Sequence, residues 1–118
     1  MIQIVRSEPD APVFFPSLLQ ESLFYDWRAG NRPDSYLFAP LVAYPIPNRV
    51  VPLPVRLTED GKAYIERALD AGLAAEQEVL FVDKDDRWGQ WISDRMSRAG
   101  FHSETRTAGN FNVLIFRR

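Results

Sequence analysis

The chain has no cysteine and a single histidine, His102. The missing cysteines exclude disulfides, thiolate metal sites and thiol nucleophiles, and leave the redox compartment open. One histidine cannot build a histidine-rich metal site, and a general base also needs a partner and a pocket. No apolar run approaches the roughly 18 residues of a membrane span. Met1 to Arg6 lacks the basic region and long apolar core of a secretory signal. A soluble, cytoplasmic protein with no membrane partner is the expectation. The net charge of −2 is too small to select nucleic acid or membrane by itself. There is no glycine-rich phosphate loop and no internal repeat.

What is present is ordinary globular material. A chain of 118 residues is one domain's worth. Hydrophobic residues make up 46% and charged residues 25%, so a core can form without a metal or disulfide staple. Charge is unevenly spread. Residues 1–58 are neutral overall, 59–86 carry net −6 and 87–118 carry net +4. A dipolar surface follows, useful either for steering a partner or for pairing inside the molecule.

The C-terminal third parses most clearly. Glu78 to Val82 reads as a short buried strand. The acidic turn Asp83-Lys84-Asp85-Asp86 follows, with Asp85 or Asp86 placed to cap the next helix. Arg87 to Ala99 carries a helical stripe of Trp88, Trp91, Ile92, Met96 and Ala99, and stops at Gly100. Two strands then flank Ala108-Gly109-Asn110. In Phe101 to Thr107, hydroxyl and charged residues alternate, as in a strand with one wet face. Phe111 to Phe116 is apolar on both faces apart from Asn112, and belongs inside the sheet.

The N-terminal half is punctuated by proline. Residues 2–5 suit a short strand, ended by Glu8-Pro9-Asp10-Ala11-Pro12. Ser17-Leu18-Leu19-Gln20 reads as a capping box, opening a helix with Leu19, Leu23 and Trp27 on one face and Gly30 at its end. From Pro33 to Pro54 six prolines rule out helix and favour packed, extended pieces. Thr58 caps a further helix whose stripe is Tyr64, Ile65, Ala68 and Leu69, closed by Gly72.

From Val50 to Arg118 this order resembles the sulfur-carrier proteins of the tRNA 2-thiolation relay. Val51-Pro52-Leu53-Pro54 looks like the family's Cys-Pro-x-Pro motif with valine in place of cysteine. Gly109 to Arg117 looks like its last strand. The resemblance implies a two-layer α+β architecture. The replaced cysteine removes the family's sulfur-transfer chemistry. Residues 1–49 have no counterpart in it.

The expected fold is therefore a single α+β domain: a two-layer sandwich, its mixed sheet of four or more strands carrying helices packed on one face. Residues 50–118 supply a β-α-β-α-β-β core, and 1–49 an N-terminal strand-helix and proline-rich cover. No nucleophile with its base is recognisable, which leans away from an enzyme without excluding one, and points to no cofactor. The leading expectation is a small non-enzymatic binding or protein-interaction module, engaging another protein or a second copy. Its candidate contacts are Phe14, Phe15, Tyr25, Tyr36, Phe38, Tyr44 and Trp91, beside the prolines or at the rim of a helix stripe. Nucleic-acid binding through Arg95, Arg98, Arg106, Arg117 and Arg118 comes second. A magnesium-dependent enzyme using Asp83, Asp85 and Asp86 comes third, since clustered carboxylates beyond a strand's carboxyl end can hold a cation. A capping turn accounts for the same three residues.

Overall fold

Four short strands rich in Val, Leu, Ile and Phe, and a fifth of mostly polar residues, assemble into one mixed sheet. The computed structural model describes residues 1–16, 46–53, 57–70 and 76–118. In chain order the elements are α1 (Ile2–Arg6), β1 (Val13–Pro16), β2 (Val50–Leu53), α2 (Glu59–Asp70), β3 (Glu78–Lys84), α3 (Gly89–Arg98), β4 (His102–Ala108) and β5 (Phe111–Arg117). The sheet order is β2-β1-β3-β5-β4. β1 runs parallel to both β2 and β3, whereas β5 is antiparallel to both β3 and β4. The radius of gyration is 12.8 Å, that of one domain, about 13 Å for 100 residues.

The central strands are apolar on both faces because both faces are covered. Val79, Leu80, Phe81 and Val82 of β3 have no exposed surface. Alternation divides the strand residues into two clusters. Phe14, Val51, Leu53, Val79, Phe81, Leu114 and Phe116 share one cluster with the stripes of α2 and α3. There Phe14 stacks on Phe81 with ring centroids 4.2 Å apart, and Phe116 meets Phe81 edge-on at 5.6 Å. Each buried ring contributes roughly 1.5–3 kcal/mol relative to exposure. Val13, Phe15, Leu80, Val82, Val113 and Ile115 form the second cluster, with Val5 of α1 and Ala11. The short helix α1 thus reaches the face opposite α2 and α3.

The helix ends follow the sequence signals. The Thr58 hydroxyl accepts the Gly61 N–H at 2.9 Å, capping α2 as expected. At the end of α3, Gly100 takes φ +90. The Phe101 N–H then reaches the Met96 carbonyl and the Gly100 N–H the Ser97 carbonyl, each at 3.0 Å. That is a Schellman closure, and it favours glycine at position 100. Gly109, at φ +62, opens the two-residue turn between β4 and β5.

Three expectations change. Residues 2–5 are not a strand but part of the helix Ile2–Arg6. The Val5 N–H bonds the Met1 carbonyl and the Ser7 N–H the Gln3 carbonyl, and this single turn buries Val5. Four residues are too few for periodicity to separate helix from strand. Second, the N-terminal segment is not merely a cover, because β1 lies inside the sheet. Its flanking prolines do not interrupt the ladder. The Pro12 carbonyl accepts the Leu80 N–H, and the Val13 N–H bonds the Arg49 carbonyl, both at 2.9 Å. Third, β4 is wet on both faces, with every residue from His102 to Thr107 exposed. Phe111–Arg117 is central, as its sequence required. The expected helix after Ser17, the extended segment to Pro45 and the stop at Gly72 lie outside the described residues.

Candidate functional site

The acidic turn is occupied by structural work. Asp83 has no exposed surface. Its Oδ1 accepts the Trp88 N–H at 3.0 Å and its Oδ2 the Gly89 N–H at 2.8 Å. So Asp83, rather than Asp85 or Asp86, holds the first turn of α3. A carboxylate five residues upstream reaches these donors because the chain reverses through Asp85 and Asp86, both at φ 57. Burial pushes the Asp83 carboxyl above the usual range, opposed by these two N–H bonds. Asp85 accepts from the Asn110 amide at 3.4 Å, and Asp86 from Asn112 at 2.8 Å. Among the described residues no group of three or more His, Asp or Glu side chains is arranged to hold a metal.

The five candidate arginines do not share one surface. Arg95 of α3 bonds Glu66 of α2 at 2.7 Å. Arg118 lies over the Phe101 ring at 4.3 Å and donates to the backbone carbonyls of Glu76 and Ala99. Arg106 and Arg117 lie on the second-cluster side of the sheet. Arg117 is gripped by three carboxylates: Glu8 at 2.5 Å, Glu78 at 2.6 Å and Glu104 at 2.9 Å. These hydrogen bonds, Glu78 first, raise the Arg117 guanidinium further above its ordinary value. Hydrogen bonds from Arg117 and Arg106 hold Glu104 below the usual carboxylate range. Burial, in contrast, pushes Glu78 up despite its bond to Arg117. Arg98 is exposed. A phosphate binding at Arg117 would compete with the three carboxylates already in place.

The aromatic candidates also divide. Phe14 and Phe15 are core residues, at 0% and 1% exposure, so they offer nothing to a partner. Both sit in β1, a strand their proline neighbours hid. Trp91 is partly buried, its ring edge-on to buried Trp88 at 5.6 Å. Tyr25, Tyr36, Phe38 and Tyr44 lie outside the described residues. Among those described, Leu57 is the only large apolar side chain that is exposed.

What remains available among the described residues is the outer flank of β4. Its inner flank pairs with β5 along its whole length, from His102↔Arg117 to Ala108↔Phe111. Among the described residues no strand pairs with the other flank. The backbone groups that point outward follow from alternation. The Leu80 N–H bonds the Pro12 carbonyl, so the even residues of β3 face β1 and its odd residues face β5. Phe81↔Leu114 and Leu114↔Thr105 then carry the parity across the sheet. His102, Glu104, Arg106 and Ala108 bond β5. Ser103, Thr105 and Thr107 turn their N–H and C=O groups outward. The two-residue turn gives the same answer, since its closing bond makes Ala108 and Phe111 a hydrogen-bonded pair. Sequence reasoning missed this edge. The alternating residue types of β4 were its only signal, and they do not tell which flank is open.

No helix among the described residues is long and apolar enough to cross a membrane. Val51, compared above with the motif cysteine of the sulfur carriers, is completely buried in β2. No family model, no curated protein and no solved structure matches this chain.

Proposed function

We propose that this chain is a non-enzymatic protein-interaction module whose contact element is the outer edge of β4. One observation carries the reading: a seven-residue strand, bonded on one flank and, among the described residues, open on the other, with exposed side chains on both faces. Such an edge accepts an added strand through its main-chain groups and reads that strand through alternate side chains. The edge is preferred to the arginine face because the candidate arginines are spread over different surfaces and Arg117 is fully engaged by three carboxylates. It is preferred to the acidic turn because Asp83 is spent on the helix cap.

The test is site-specific photocrosslinking of the full chain in its native cells. A photoreactive residue replaces Ser103 in one protein and Gln90, an exposed residue on α3, in another. The expected result is a protein adduct from position 103, none from position 90, and loss of the adduct when Thr105→Pro is added. That proline removes an outward N–H and no bond to β5. Adducts from neither position, or equally from both, would sink the reading.

A further inference from the structure

The edge of β4 carries a charge pattern that fits a particular partner. Its second-cluster face presents His102, Glu104 and Arg106, and its other face Ser103, Thr105 and Thr107. An antiparallel strand added here must pair outward residues with outward residues, so the allowed registers are few. If that strand is β4 of a second copy, three two-fold arrangements keep most of the edge paired. They centre on Glu104, on Thr105 or on Arg106.

Charge decides among them. Centring on Glu104 sets this carboxylate opposite its own copy, and centring on Arg106 sets two guanidiniums face to face. Like charges directly opposite are destabilising. Centring on Thr105 places Glu104 of each copy opposite Arg106 of the other. The four charges then alternate around a square. The same register pairs Ser103 with Thr107 twice and Thr105 with itself, a ladder of small hydroxyl residues of the kind that bonds across strands. It also uses the strand over its full length, seven residues spanning about 23 Å.

The isolated chain is prepared for this contact. Glu104 is held in place, with Oε1 on the Arg106 Nε at 3.0 Å and Oε2 on the Arg117 Nη1 at 2.9 Å. Arg106 spends only its Nε there. Its two Nη groups have no partner among the described residues, and a guanidinium carries five donors. Of the usual guards against self-pairing, β4 has no proline, no lysine and no bulge in its seven-residue register, and its charges, Glu104 and Arg106, are of opposite sign. At the other outermost described strand, β2 carries Pro52.

We infer that two copies of this chain pair antiparallel through β4, on a two-fold axis at Thr105, joining their five-stranded sheets into one of ten. This rests on the reading of β4 as the contact element and names its partner. The contact is small beside a standard interface of about 1,600 Å², so the dimer is a weak, concentration-dependent one.

Sedimentation of the full chain from micromolar to millimolar concentration tests it, with Glu104→Lys and Arg106→Glu made separately. The wild type is expected to dimerise. Each variant alone sets like charges opposite across the axis and should weaken dimerisation by about tenfold. Mixing the two restores opposite charges at every contact, so the mixture should form a heterodimer that neither variant matches alone. Circular dichroism checks that each variant is folded. Should either unfold, Thr105→Pro replaces the pair, with loss of the dimer expected. A wild type that stays monomeric at millimolar concentration overturns the inference. So does a dimer indifferent to these substitutions. Crosslinking from position 103 separates the two claims. An adduct with a different protein beside a monomeric wild type keeps the edge reading and ends the self-pairing one. No adduct and no dimer ends both.

Discussion

β4 and β5 are two halves of one hairpin, joined by a two-residue turn and paired over seven residues, yet they live in opposite environments. β5 buries Val113, Leu114, Ile115 and Phe116, from both of its faces. β4 exposes every residue from His102 to Thr107. Both strands form the same ladder of hydrogen bonds with each other, so hairpin membership explains neither. Place in the sheet does. β5 lies between β3 and β4, while β4 has a neighbour on one side only among the described residues. Burial on both faces demands apolar residues at the four buried positions of β5. At β4 little is buried, and its sequence is free to serve something other than the core.

The sharpest way to break this comparison is to remove bulk from each strand in turn. Phe116 has no exposed surface and meets Phe81 edge-on. Phe116→Ala leaves a cavity in the cluster under α2 and α3, and should cost about 3–5 kcal/mol. That is a large part of the total stability of about 5–15 kcal/mol for a domain. Thr105→Ala, on the paired strand, should change stability by no more than about 0.5 kcal/mol. Urea denaturation of both variants measures the difference. Equal losses would mean that β4 is covered in solution, by a partner or by the chain itself.

A middle-sized effect is expected where β3 hands over to α3. Asp83 accepts two N–H bonds with its two oxygens. Asp83→Asn keeps one acceptor and turns an NH2 toward the other donor, leaving a buried N–H unpaired at a cost of about 1–3 kcal/mol. The pH dependence of that cost has a definite sign. Burial raises the Asp83 carboxyl, so the folded state holds its proton more tightly than the unfolded state does. Between the unfolded value, about 3.9, and the higher folded one, stability falls as pH rises. The asparagine variant lacks this slope. The margin of wild type over Asp83→Asn should therefore be widest below about pH 3.9 and narrow toward neutrality. A margin that widened instead would show the two N–H bonds outweighing burial.

How far the sequence could be read depended on how many residues each signal spans. The helix α3 repeats its apolar stripe over several turns and ends in Gly100, so its existence and its stop were both legible. The strand β3 and the hairpin are long apolar or alternating runs, and their observed bounds differ from expectation by only a residue or two. The strand β1 was not legible. Val13, Phe14 and Phe15 are three apolar residues between Pro12 and Pro16, which read as breakers, and only pairing with β2 and β3 makes them a strand. The cap on α3 was placed two or three residues late, because the reversal through Asp85 and Asp86 is a matter of backbone conformation. The edge of β4 depends on strand order. Glu104 and Arg106 stood in plain view, but an open flank is a property of the sheet.

The smallest effect lies in the charges at that flank, and it sharpens the comparison from the exposed side. Glu104 is bonded to Arg106 and Arg117, and these hydrogen bonds depress its carboxyl. A depressed folded value gives stability that is present above the unfolded value, about 4.3, and is lost as pH falls through the folded one. Screening at an exposed site keeps this contribution slight. Glu78, which burial raises, has the opposite sign near the same pH. Total stability therefore cannot isolate either group, whereas a difference between wild type and Glu104→Gln can. That difference should favour the wild type near neutrality, shrink as pH falls below about 4.3, and diminish with added salt. Self-pairing adds a signature that a purely internal ion pair would lack. If Glu104 also meets Arg106 of a second copy, the wild type's advantage should grow with protein concentration, since binding stabilises the folded state by mass action. Thermal melts of both proteins at low and high concentration, across that pH range, read the effect. An advantage independent of concentration would confine Glu104 to its own chain.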